Sequence, residues 1–280
     1  MNLRGEPAQV GRHCGSNEYT IDAARVEAYR DALEDRSPGS DPFAPPLLLH
    51  SECYEFLAEW YLPTLVGNLH AQQDWESYAP IPLGTKVRTR STIVDRYQKR
   101  GRDYVVNETD VMSVEGSRLL VRGRTHQSFL PPKEPSEEPK APAPKRSHPP
   151  FPVASGRDLE PAELTMDEHR CWLFSGPKAN YHNDREEARK LGFPNIVVQG
   201  MLSTCLVSRV MQQAFGMGWL EGGRMSVKLT SVVWVDERLR CHARVRETAP
   251  EGTRERAHCD VWVEKDDGTR SLIGGASALS

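Results

Sequence analysis

The chain has 280 residues, of which 38% are hydrophobic and 27% charged, and a formal net charge of −3 at pH 7. That length allows one large domain or two ordinary ones with proper cores, and the near-neutral balance gives no electrostatic footprint for nucleic acid or an anionic membrane. No apolar run approaches the ~20 residues that span a bilayer, and Cys14, Cys53, Cys171, Cys205, Cys241 and Cys259 form no CxxC pair, which argues against a zinc site or a disulfide framework and for buried thiols.

The first residues, MNLRGEPAQVGRHCG, lack the apolar segment of a secretory signal, so a cytoplasmic location is expected. Residues 50–61 read as a helix, and residues 85–97, 103–114 and 117–129 as strands whose valines and threonines alternate with arginine. Residues 131–152, PPKEPSEEPKAPAPKRSHPPFP, are mostly proline and charge and read as an extended linker. The expected organisation is therefore one domain over residues 1–130, the linker, and a second domain over residues 153–280.

Beyond the linker, a cluster of turn-formers, FSGPKANYHND, leads into a short helix over 184–191 with Asp184 as its cap. Gly200–Phe215 has Met201, Cys205, Leu206, Val210, Met211 and Ala214 at helical spacing, and Gly216 supplies a stop. Strands follow over 225–235, 239–248, 255–264 and 272–278. The two halves match weakly at an offset of about 152 positions: residues 49–53 fall on 201–205, residues 82–87 on 234–239, Glu115-Gly116 on Asp267-Gly268, and Gly123 on Gly275. An antiparallel sheet wrapped round one helix, twice in one chain, follows; the class is α+β.

A lone histidine beside Asn, Asp and Arg is usually a surface residue. His182, however, sits in a dense turn at a helix entrance, and Gly200 opens the long helix, where free N–H groups can meet a carbonyl oxygen or an oxyanion. A histidine facing such donors is a catalytic arrangement in outline. At the repeat offset His182 falls on Arg30 and Gly200 near Leu48, so one site per chain is expected. His50, His70 and His126 then read as packing or substrate-binding residues.

Phe174-Ser175-Gly176, the step from Gly176 to His182, Ala188, Gly192-Phe193 and the run from Val197 to Leu202 resemble the signature of the MaoC-like, (R)-specific enoyl-CoA hydratase family. The resemblance covers the second half well and the first half mainly through architecture. It implies a double hotdog, in which an antiparallel sheet wraps a long central helix in each half, with the first half a degenerate partner. It also implies a lyase acting on trans-2-enoyl or (R)-3-hydroxyacyl thioesters of coenzyme A or an acyl carrier protein, without metal or separate cofactor, and a homodimer. Carried over residue by residue, His182 is the catalytic histidine and Gly200 the glycine whose amide polarises the thioester carbonyl. Pro177 stands where the family has its catalytic aspartate, Ala179 where it has asparagine, and Gln199 where a histidine is usual.

The replacements open to this sequence are Asn180 to orient a water, Asp184 as base or merely helix cap, Tyr181 as proton donor or packing, and His182 alone as base for one step and acid for the next, with a water held by Asn180. Tyr181, Gln199 and Leu202 are candidate substrate contacts. Arg100 and Arg102, in the turn Lys99–Arg102, are candidates for the phosphates of coenzyme A or a basic hairpin tip in water. Thioester hydrolysis and a non-catalytic, thioester-binding scaffold are the competing functions.

Overall fold

A computed structural model describes residues 8–36, 42–53, 56, 69–129, 151–152 and 155–280. In the first half β1 (His13–Thr20) and helix α1 (Ala23–Leu33) precede β2 (Phe43–Ala44), a 3₁₀ segment Pro46–Cys53, β3 (Leu69–Ser77), β4 (Ile81–Pro82), β5 (Lys86–Lys99), β6 (Arg102–Ser113) and β7 (Leu119–Phe129). The second half contains β8 (Arg157–Asp158), β9 (Ala162–Thr165), α2 (Glu168–Ser175), α3 (Arg185–Lys190), α4 (Gly200–Phe215), α5 (Met217–Gly222), β10 (Arg224–Leu229), β11 (Arg238–Glu251), β12 (Arg254–Lys265) and β13 (Arg270–Leu279).

Among the described residues, eleven strands form one sheet in the order β1-β5-β6-β7-β3-β10-β13-β12-β11-β8, with β9 also paired to β11. The halves meet edge to edge where β3 runs antiparallel to β10, with Gln73 opposite Val227 and Trp75 opposite Met225. This is a double hotdog, and its two sheets are continuous rather than separate. The seam removes the free edge that each half would otherwise present.

The duplication is legible in the strand register. β5 and β11 start and end 152 positions apart, as do β6 and β12. The β5–β6 ladder shifts between Ile93 and Asp95, and the β11–β12 ladder between Val245 and Glu247, so the bulge itself recurs at that offset. A bulge re-aims a strand, and its recurrence gives both hairpins the same bend.

What faces inward differs between the halves. In the second, α4 packs on β11, β12 and β13 over Cys241, Ala243, Cys259 and Val261, all at most 1% exposed. The residues 152 positions earlier are Thr89, Ser91, Asn107 and Thr109, equally buried but polar. They hydrogen-bond within the sheet: Asn107 Nδ2 donates to Ser91 Oγ at 2.7 Å and Thr109 Oγ1 to Asn107 Oδ1 at 3.2 Å. Satisfied in this way, buried polar groups cost little. On the outer face Arg122 pairs with Asp110 and Arg124 with Glu108, both at 2.7 Å, across neighbouring strands as cross-strand pairing favours.

Helix α4 takes the expected bounds. Its apolar stripe is buried, and Gly216 closes it with an N–H bond to Gln212 O at 2.8 Å. The strand expected over 225–235 stops at Leu229, because Val197 and Val198 bond instead with Val233 and Trp234 beside the entrance of α4. β1, α1 and β3 had no clear signal in the sequence. The helix expected over 50–61 begins in the 3₁₀ segment, and the rest of it lies outside the described residues, as does nearly all of the linker. Cys14, Cys171, Cys205, Cys241 and Cys259 are buried free thiols. No helix among the described residues is long and apolar enough to cross a membrane.

Candidate active site

The loop between α2 and α3 is held by its own short polar side chains. Asn180 Oδ1 accepts from the His182 N–H at 2.9 Å, and its Nδ2 donates to the carbonyls of Ser175 at 3.0 Å and Lys178 at 2.9 Å. Asn183, only 7% exposed, accepts from the Asn180 N–H at 2.8 Å and donates to Lys178 O at 3.0 Å. Such side-chain-to-backbone bonds replace a regular ladder in a tight loop. Asn180 therefore braces the loop rather than presenting its amide to a water. Asp184 Oδ1 accepts from the N–H groups of Glu186 and Glu187 at 2.8 and 2.9 Å, which makes it the cap of α3.

This bracing aims one side chain. Val197 N–H donates to Tyr181 O at 3.2 Å, and His182 Nδ1 lies 2.7 Å from Val197 O. A carbonyl can only accept, so Nδ1 carries the proton and Nε2 bears the free lone pair. Burial pushes the His182 pKa down to about 4, opposed only by the Val197 carbonyl. No carboxylate contributes to that shift, so the imidazole is neutral and has no acidic partner among the described residues. Val197 holds His182 through its backbone carbonyl alone, so its side-chain type carries no sign of that contact.

Tyr181 lies against the imidazole, with ring centroids 3.9 Å apart, and stacks on Phe193 at 5.7 Å; Phe193 in turn meets the edge of Trp234. Burial raises the Tyr181 pKa. Its hydroxyl has no hydrogen-bond partner among the described residues.

Three residues beyond Val197, Gly200 opens α4. Gln199 adopts extended angles (φ −60°, ψ 127°) as its N-cap without a side-chain cap bond. Ser175 Oγ donates to Gln199 Oε1 at 3.4 Å, linking the ends of the loop. A Cβ on Gly200 would sit 2.7 Å from Leu229 Cδ2, so the glycine lets the helix start close against β10. The first N–H groups of such a helix lack intrahelical acceptors and carry its positive dipole end.

The remaining candidates are not gathered here. Leu202 is 1% exposed within the main core and packs rather than lining an opening. Arg102 is fixed on Ser128, its Nε donating to Oγ at 2.5 Å, while Arg100 takes φ +54° at the β5–β6 hairpin tip. β7 and β3 separate that hairpin from β10, although the tip and the C-terminal end of β10 lie at the same end of the sheet. His50 stacks on Phe174 at 4.0 Å and His126 bonds Asp74 at 3.0 Å and Tyr97 at 3.1 Å. A hollow of about 490 Å³ on the sheet's outer face, over Gly275 and Ser277, is lined by none of the residues around His182, and its arginines are ion-paired.

Residues 152–264 match the family model described as MaoC like domain. No curated protein matches the chain in sequence. Among solved structures, one described as a MaoC-like dehydratase superposes with a TM-score of 0.76 at 15% identity, covering 99% of each chain. A MaoC-like dehydratase from Phytophthora capsici gives 0.67 at 17% identity over 96% of each chain. A Mycobacterium tuberculosis protein described as having a double hotdog fold gives 0.63 at 13% identity, over 97% of this chain and 96% of that one.

Proposed function

We propose, from the premise that residues 152–264 form a MaoC-like domain in a double hotdog, that this protein is a hydro-lyase. It adds water to trans-2-enoyl thioesters, or removes it from (R)-3-hydroxyacyl thioesters, with the acyl group on coenzyme A or an acyl carrier protein. The observation that carries this reading is the fixed tautomer of His182, its Nδ1 on Val197 O at 2.7 Å, three residues before Gly200 opens α4.

In the hydration direction Nε2 takes a proton from water as the oxygen bonds to C3 of the enoyl group. The π electrons move onto the thioester oxygen, and the Gly200 N–H with the α4 dipole holds the resulting enolate. Such donors accelerate the reaction because they meet more charge in the transition state than in the substrate. Asn180 and Asp184 act on the loop, the first as its brace and the second as the cap of α3. Gln199 and Tyr181 border the reacting group, and Arg100 and Arg102 meet the phosphates of the carrier at the same end of the sheet. The protein works in the cytoplasm as a homodimer of double-hotdog chains.

The test is to incubate the purified protein with trans-2-enoyl-CoA esters of graded chain length, following loss of the conjugated enoyl absorbance beside His182→Ala. Turnover that disappears in the variant supports the reading. Esters that bind the wild type without turnover would leave a thioester-binding protein, and release of free thiol would make it a thioesterase.

A further inference from the structure

Pro177 leaves the hydratase reading one proton donor short. Hydration places a proton on C2 as well as removing one from water, and His182 has no acidic partner among the described residues. The groups nearest in sequence are engaged elsewhere: Asn180 has both ends of its amide on backbone atoms, and Asp184 caps α3. Tyr181, whose ring centroid lies 3.9 Å from that of the imidazole, carries a hydroxyl without a hydrogen-bond partner among the described residues.

We propose that Tyr181 is the second catalytic residue of this site, donating the C2 proton from its phenol while His182 handles the proton of water. The proposal rests on the hydro-lyase reading. The ring is positioned from both sides, by the His182 imidazole at 3.9 Å and by Phe193 at 5.7 Å, and its backbone carbonyl is tied to the Val197 N–H at 3.2 Å. The same Val197 fixes His182, so one residue sets the relative placement of donor and base. A buried, neutral phenol holds its proton at physiological pH yet is a much stronger acid than the α-carbon of a thioester, so transfer to the enolate runs downhill.

The step balances. Water loses a proton to His182 Nε2 and its oxygen bonds C3; the C2=C3 electrons pass into the enolate at Gly200. The enolate collapses and C2 takes the proton of the Tyr181 O–H, leaving tyrosinate beside imidazolium. The proton then moves from imidazolium to tyrosinate across their contact, restoring both residues with one water added. Dehydration runs the same transfers in reverse, with tyrosinate taking the C2 proton and imidazolium protonating the departing hydroxyl.

The experiment compares wild type, Tyr181→Phe, Tyr181→Ala and His182→Ala with trans-2-enoyl-CoA esters in D2O, reading kcat, KM and deuterium at C2. Tyr181→Phe keeps the ring between His182 and Phe193 and removes only the donor. Its kcat should fall by about 10²- to 10⁴-fold, the usual worth of a positioned acid, with KM and thermal unfolding unchanged. An unimpaired Tyr181→Phe beside an inactive His182→Ala would sink the tyrosine and leave the hydratase standing, with His182 serving both steps. A rise in KM at unchanged kcat would reduce Tyr181 to a binding surface and overturn the proposal. Loss confined to Tyr181→Ala would make it a positioning residue and overturn it too. A wild type that turns over neither the CoA esters nor the same acyl groups on an acyl carrier protein defeats both readings together.

Discussion

His182 points its protonated Nδ1 at the carbonyl of Val197 across 2.7 Å, and Val197 returns its N–H to the carbonyl of Tyr181 at 3.2 Å. The imidazole is thereby fixed in one tautomer by the strand-like segment that leads into α4. With its pKa pushed down to about 4 by burial, it stays neutral well below the ordinary histidine range. The acid limb of kcat/KM should accordingly lie near pH 4 to 5 rather than near 6.5, the ordinary value for histidine. A pH–rate profile on enoyl-CoA checks this; a limb at the ordinary histidine position would mean that the imidazole is solvated in the working enzyme.

Gly200 carries two demands, close packing and an exposed N–H. Gly200→Ala places a methyl 2.7 Å from Leu229 Cδ2, the far end of a half-buried side chain that can turn aside, so the cost is at most the ~1–3 kcal/mol of overpacking in a rigid core. If packing is the main reason for glycine, the double variant Gly200→Ala/Leu229→Ala recovers both the unfolding midpoint and the activity, since alanine keeps the N–H. If the thioester needs the space above the missing Cβ, the double variant recovers stability alone. Chemical denaturation and kcat measured on the same preparations separate the two.

Two further histidines link folding to pH. Burial holds His50 and His70 at about 4, against an ordinary value of 6.5. Above pH 6.5 both are neutral folded or unfolded and impose no penalty. As pH falls from 6.5 towards 4 the unfolded chain takes up protons that the folded chain refuses, so stability declines across that window and levels off below it. Each contributes about 3 kcal/mol at most, by the usual conversion of a pKa shift to free energy. Replacing His50 by Asn should flatten the pH dependence of the unfolding free energy in urea between those limits.

The buried polar belt of the first half makes a contrasting prediction with its counterpart. Asn107→Ala strips Ser91 Oγ and Thr109 Oγ1 of their partner, and an unsatisfied buried group costs ~1–3 kcal/mol. Cys259→Ala, at the equivalent position 152 residues later, removes one sulfur from an apolar face and should cost less. Unfolding midpoints of the two variants at one pH decide it.

That contrast also bears on what the sequence could reveal. The offset of 152 emerges from Cys53 falling on Cys205, residues 82–87 on 234–239, Glu115-Gly116 on Asp267-Gly268 and Gly123 on Gly275, because both halves build the same order of elements. Gly200–Phe215 reads cleanly because its apolar residues recur at helical spacing and Gly216 stops it. β1, α1 and β3 were opaque. HCGSNEYT and LHAQQDWES have few β-branched residues, and β3 becomes a strand because β7 and β10 both bond to it, which is tertiary information. At the site His182 and Gly200 stand out by residue type and place. The stack of Tyr181 on His182 and Phe193, and the Val197 carbonyl, arise from how residues 181–197 fold back on themselves, and no periodicity announces that.

Asp184 offers the sharpest separation of structural and catalytic roles, because its carboxylate is the one acid two residues from His182. Its Oδ1 holds the N–H groups of Glu186 and Glu187, and asparagine caps helices about as well as aspartate. Asp184→Asn should therefore leave kcat and the unfolding midpoint close to wild type, whereas Asp184→Ala should lose ~1 kcal/mol of stability through the cap and lower activity only as the loop loosens. Were Asp184 the general base in place of the missing aspartate, the amide would cost the factor of about 10² to 10⁴ that proton transfer is worth while stability stayed intact. Measured together, kcat and urea midpoint distinguish a cap from a base, since the two roles predict opposite patterns for the same substitution.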